Sequence, residues 1–114
     1  MIIKVAEEFT DTPGGRYKAN SKYSGEQFRE ELLFPKYLAC LELNEKLLVD
    51  LDGGYGYPIG FLEEAFGGLI KMLKDNKLFP KKALKIIKIK SNDEVSLVDK
   101  IYTFMKKEIK NNKK

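Results

Sequence analysis

LLVDLDGGYGYPIGFLEEAFGGLIKML, residues 47–73, decides the reading of this chain. An apolar run closes on Asp50-Leu51-Asp52, crosses a turn holding Gly53, Gly54 and Gly56, and re-enters with Leu62, Ala65, Phe66, Leu69, Ile70 and Leu73 at helical spacing. That is a strand over 46–51, a loop at its carboxyl end, and a helix over 61–75. In open α/β sheets, ligands and partners meet this edge. Leu47, Leu48, Val49 and Leu51 do not alternate with polar residues, so the strand is expected to be parallel, central and covered on both faces. The loop holds no Ser, Thr, His, Cys or Lys. Apart from carboxylates it offers no usual nucleophile or proton carrier, which points to docking rather than catalysis.

Working outward, Ile2, Ile3, Val5 and Phe9 read as a first strand. The Asp11-Thr12-Pro13-Gly14-Gly15 turn then leads into an edge strand over 16–19. Ser24 with Gln27 three positions on is a capping-box signature, with Tyr23 and Phe28 as the hydrophobic staple. Pro35 predicts a break or kink before a second helical stretch over 36–43. A strand is expected over 84–90. Asn92 or Asp93 would cap a last helix bearing Leu97, Val98, Ile101, Phe104, Met105 and Ile109. The fold class is therefore α/β (α+β), a four-stranded mixed sheet in the order β-β-α-β-α-β-α. Leu48, Leu62, Phe66, Leu69, Ile87 and Ile101 are its expected core. Gly67-Gly68, unfavourable inside a helix by about 1 kcal/mol each, is assigned to close packing on the sheet.

The chain has 114 residues, 43% of them hydrophobic and 33% charged, which suits one globular domain and argues against wholesale disorder. It has no histidine, so the usual general base and the commonest metal ligand are missing. The single cysteine, Cys40, can form neither an internal disulfide nor a thiolate metal cluster; it sits among apolar neighbours and reads as buried packing. No run reaches the roughly 20 apolar residues a membrane span needs, and no signal-peptide pattern opens the chain, so a cytoplasmic location is expected.

Net charge of +4 conceals a division. Residues 1–70 carry 7 Lys/Arg against 12 Asp/Glu, whereas residues 71–114 carry 14 against 5. Lys81, Lys82, Lys85, Lys88 and Lys90 are the candidate basic surface for the alternative of a nucleic-acid-associated accessory protein. Arginine occurs only at positions 16 and 29, and no aromatic–arginine interleaving marks a base-reading face. A solvated outer face that keeps the last elements soluble is the preferred reading of the lysines.

The turn at Asp52-Gly53-Gly54-Tyr55-Gly56 resembles a phosphate loop only superficially. It lacks the Lys-Ser/Thr ending and the dinucleotide spacing, and Asp50, Asp52, Glu63 and Glu64 would repel a phosphate. Glu63 and Glu64 are explained as first-turn residues facing a helix dipole, with partner recognition as the functional reading. Tyr55, Tyr57, Ile59 and Phe61 bracket the turn, and not all can point inward. The candidate partner-binding set is Tyr57, Ile59, Gly60, Phe61, Glu63 and Glu64, with no catalytic, cofactor or metal residues. A small-ligand-binding domain, with a pocket at this edge, is the second alternative.

Gly15-Arg16, the Ser24-Gly25-Glu26-Gln27-Phe28-Arg29 segment, Pro35, LLVDLDG and above all GFLEEAFGGL at 60–69 resemble the STAS domains of anti-sigma-factor antagonists. The likeness is closest to the divergent STAS-like family of unknown function found in bacteria, archaea and phages, and covers roughly residues 2–105. It implies a STAS-like domain over 1–110 followed by a basic tail, 111–114, expected to fray. It also implies a non-enzymatic regulatory or adaptor role beside a partner protein, such as a histidine-kinase-like ATPase. In antagonist STAS domains a phosphorylated serine lies where the loop enters the helix; here that place falls on Gly60, which removes the acceptor.

Overall fold

The computed structural model describes residues 1–111 of the chain. Its sheet has three strands, β1 (Ile2–Lys4), β2 (Leu47–Asp50) and β3 (Ile87–Lys90), in that order and all parallel. Ile3 pairs with Val49 and Val49 with Ile89, so β2 is central. The expected four-stranded mixed sheet with a leading hairpin is therefore incorrect. After β1 the chain turns at once into a helical turn, α1 (Val5–Glu8). Ala6, Glu7 and Glu8 favour a helix over an extended chain. The expected edge strand over 16–19 does not form either, because its backbone has another task. The Gly15 and Arg16 carbonyls accept from the N–H groups of Gly25 (2.9 Å) and Glu26 (3.0 Å), satisfying open donors at the next helix start.

That helix is α2 (Gly25–Phe28), a π-helical turn Arg29–Leu33, and α3 (Phe34–Leu43), joined without a break. The Gln27 N–H donates to Ser24 Oγ at 3.0 Å, as the capping signature predicts. Tyr23 does not staple to Phe28; it is exposed and meets Phe9 edge-on. Pro35 does not break the helix. The wider π turn precedes it and α3 continues with helical dihedrals at Leu33 and Phe34. Asn44, left-handed at φ 57°, ends it.

After β2 come α4 (Ile59–Leu62), a second π turn Glu63–Gly67, and α5 (Gly68–Asp75), again continuous. A 3-10 turn, Pro80–Lys82, leads into α6 (Ala83–Ile86), so the first half of the expected strand over 84–90 is helical. The last helix, α7 (Ser96–Lys110), starts after Val95 without a side-chain cap, so neither Asn92 nor Asp93 serves as one. Of the expected tail only Asn111 is described; 112–114 lie outside the described residues. Among the described residues, no helix is long and apolar enough to cross a membrane.

Because the strand order runs 1-2-3 in one direction, right-handed crossovers lay their helices on the same face of the sheet. Ile3, Leu47, Val49 and Ile87 point there and are buried. Alternate positions face outward: Ile2 is 50% exposed, Leu48 is half-buried and Lys88 is exposed. The expectation that β2 is covered on both faces is thus wrong, and Leu48 is not core. Leu62, Phe66, Leu69, Ile87 and Ile101 are core, as expected. Phe28 holds the helical layer together, with ring centroids 5.4 Å from Phe9, 5.7 Å from Phe61 and 6.3 Å from Phe66. Cys40 is buried, with its Sγ 3.6 Å from the Lys46 carbonyl.

Candidate functional site

The loop between β2 and α4 is pinned by its own carboxylates. Asp52 Oδ1 accepts from the N–H groups of Asn92 (2.7 Å) and Asp93 (2.9 Å), and Asp93 Oδ2 accepts from Gly53 N–H (3.0 Å). This reciprocal latch ties the loops after β2 and β3 to each other. Asp50 accepts from Asp52 N–H at 3.0 Å and pairs with Lys90 at 3.6 Å. Gly53 and Gly56 take φ of 93° and 124°, which side chains rarely tolerate. The acidic residues here thus serve as acceptors for backbone donors. Among the described residues, no group of three or more His, Cys, Asp or Glu is arranged to hold a metal ion.

The loop's large side chains divide by direction. Tyr57 donates its hydroxyl to the Leu51 carbonyl at 3.0 Å and lies 5.9 Å from the Phe61 ring. Burial, followed by the nearby Asp50, Asp52 and Asp93 charges, pushes its phenol pKa well above the ordinary value. Phe61 is fully buried in the aromatic cluster. Tyr55 (85% exposed) and Ile59 (46% exposed) project outward instead. Of the expected contact residues, Ile59 therefore remains as the apolar projection, joined by Tyr55, while Tyr57 and Phe61 support the loop from beneath.

Glu63 and Glu64 each meet an arginine. Arg16 Nη1 lies 2.6 Å from Glu63, and its stem crosses Gly60, where an added Cβ would stand 2.8 Å from Arg16 Cγ. Arg29 is nearly buried, and its Nη1 donates to the Glu64 carboxylate (2.7 Å) and the Glu64 carbonyl (2.6 Å). Its Nε is buried and has no partner among the described residues. The pair bridges the two π turns, and Gly68 makes the room: a Cβ there would fall 2.1 Å from Arg29 Nη1. Gly68 is thus explained by the Arg29 approach, not by the sheet, while Gly67 faces α7 at ordinary contact distance, 3.6 Å from Glu108 Cγ. Reading the sequence alone missed Arg16 and Arg29 as partners of the two glutamates. The signal was present, because the chain uses lysine everywhere except at these two positions. A planar fork suits a close carboxylate pairing better than an ammonium does.

Two small cavities of about 200 Å³ flank this region. One, between Tyr55, Tyr57, Ser91, Asp93 and Leu97, opens at the carboxyl edge of the sheet. The other lies between Arg16, Glu63, Lys71, Lys107 and Glu108. The lysines expected as a basic surface fall on the turn and short helix before β3 and on β3 itself. Lys81, Lys82 and Lys85 surround the approach to β3, while Lys88 and Lys90 lie along that edge strand, with Lys90 paired to Asp50.

A family model described as a STAS-like domain of unknown function (DUF4325) matches residues 24–97. No curated protein and no solved structure matches the chain.

Proposed function

The chain belongs to the family of STAS-like domains of unknown function, and from that premise we propose a docking module whose partner is a histidine-kinase-like ATPase. Membership supports a general regulatory or adaptor role without catalysis. The finer reading assigns contact to the loop after β2 and the start of α4, with Ile59 and Tyr55 as apolar projections. Gly60 gives room to the Arg16 stem, and Glu63 and Glu64 set electrostatic register through their arginines. Tyr57 and Phe61 contribute by holding the loop in shape.

The observation that carries this reading is a loop held by hydrogen bonds with an outward apolar side chain. Ile59 is 46% exposed, while Tyr57 two residues before it is bonded to the Leu51 carbonyl and the start of the loop at Asp52 and Gly53 is latched to Asn92 and Asp93. A preorganised projection loses little conformational freedom on binding. A small-ligand site fits less well. The cavity at this edge, about 200 Å³, is smaller than the roughly 300–1,000 Å³ of ordinary ligand pockets. Gly60 supplies no hydroxyl, so serine phosphorylation does not switch this interface. Affinity capture from the native cell with wild-type and Ile59→Asp chains tests the reading. Recovery of the ATPase by the wild type and its loss with the variant supports it; equal recovery by both overturns the assigned surface.

A further inference from the structure

A second surface lies at the opposite end of the sheet. α6 runs directly into the first residue of β3, and α7 returns from the carboxyl edge, so Phe79–Lys85 and Ile109 meet near the amino edge. Two adjoining concavities of about 470 and 410 Å³ open there, sharing Lys81 and Ile109. Phe79, Pro80, Leu84 and Ile109 give them an apolar floor. Phe79 is 65% exposed although it is a large aromatic residue, and its backbone is left-handed at φ 49°. The rim is made of Lys74, Lys81, Lys82, Lys85, Lys106 and Lys110. Among the described residues none of these ammonium groups has a carboxylate partner, and no Asp or Glu lines either concavity.

We infer that this groove receives an acidic amphipathic helix of a partner protein. The helix seats its apolar stripe on Leu84, Ile109 and Phe79 and sets its Asp and Glu residues against the lysine rim. Apolar floor and cationic rim together specify that chemistry: helix-in-groove recognition needs apolar anchors at helical spacing, and rim charges select the sign of the ligand. A duplex nucleic acid suits the surface poorly. Phosphates gain nothing from an apolar floor, and the rim lacks arginine. A flat bilayer does not fill two concavities. The groove stands apart from the loop after β2, so a chain using both ends would bridge two proteins.

Fluorescence anisotropy of the full chain with a labelled synthetic peptide tests this inference. The probe has about 18 residues, with Leu at i, i+3, i+4 and i+7 and Glu at most other positions. It should bind, and a Lys81→Glu/Lys85→Glu/Lys110→Glu chain should bind it at least about tenfold more weakly, a change of about 1.4 kcal/mol. Phe79→Ala, an exposed substitution that leaves the core intact, should weaken binding severalfold, while Ile59→Asp should change nothing. Equal binding of a leucine-free glutamate peptide overturns the inference, since the floor would then be idle. So does binding of duplex DNA or phosphatidylserine vesicles without binding of the probe, or occupation of the groove by a second copy of the chain in sedimentation.

Discussion

Gly67 and Gly68 are adjacent in sequence and in the same helical run, yet alanine should act on them with opposite signs. A Cβ at Gly68 falls 2.1 Å from Arg29 Nη1, whereas ordinary contact begins near 3.4 Å, so the guanidinium must retreat by about 1.3 Å. Both bonds from that nitrogen, 2.6 and 2.7 Å long, are lost. Breaking one side of a buried ion pair costs about 3–5 kcal/mol. Better helix propensity returns about 1 kcal/mol, and a partly re-bonded arginine recovers more, leaving Gly68→Ala destabilised by about 2 kcal/mol. For a domain of this size that is roughly 10 °C in Tm. At Gly67 the nearest atom to a new Cβ is Glu108 Cγ at 3.6 Å, an ordinary contact. Gly67→Ala should therefore stabilise by up to about 1 kcal/mol. Urea denaturation of the two variants beside the wild type reads both signs. If Gly68→Ala is as stable as the wild type, the buried pairing is not what the second glycine serves.

Tyr37 is fully buried and its hydroxyl has no partner among the described residues, so Tyr37→Phe should raise stability by about 1 kcal/mol in the same denaturation assay. Burial pushes the Tyr37 phenol up to about 12 from its ordinary value of 10.0, so the folded chain keeps a proton that the unfolded chain releases. Its contribution is complete below pH 10 and declines as pH rises towards 12, and Tyr37→Phe should flatten that decline. Ser24→Ala removes the bond from Gln27 N–H and should cost about 0.5–2 kcal/mol, seen as a lower urea midpoint. Asp52→Ala opens the latch between the loops after β2 and β3, so hydrogen exchange at the Asn92 and Asp93 amides should accelerate while that of β2 is unchanged.

The central strand, the loop at its carboxyl end and the long helices were legible because their signals are local. An apolar run meets glycines, Ser24 is followed by Gln27, and apolar residues recur every third or fourth position. The hairpin was misread because Val5 and Phe9 fit a strand by hydrophobicity alone. Ile3 pairs with Val49 and Phe9 packs on Phe28, both far along the chain, and Ala6-Glu7-Glu8 had already tipped the backbone into a helical turn. The same limit applies at the site. Tyr55, Tyr57, Ile59 and Phe61 look alike in sequence, and only the aromatic cluster around Phe28 turns Phe61 inward while the Leu51 carbonyl holds Tyr57. Arg16 and Arg29 are 47 and 35 residues from Glu63 and Glu64, beyond the reach of any spacing rule. Their rarity among the lysines was the one sequence signal for that pairing. The one-sided sheet follows from strand order, a global property that a single strand's composition does not carry.

Hydrogen-exchange footprinting of the full chain with and without the captured ATPase bears most directly on the proposed docking surface. Slower exchange over residues 53–64, with β1 and the open face of the sheet unchanged, is the predicted result. Bound ATPase with no slowing in 53–64, or with the same slowing in an Ile59→Asp chain, would contradict it.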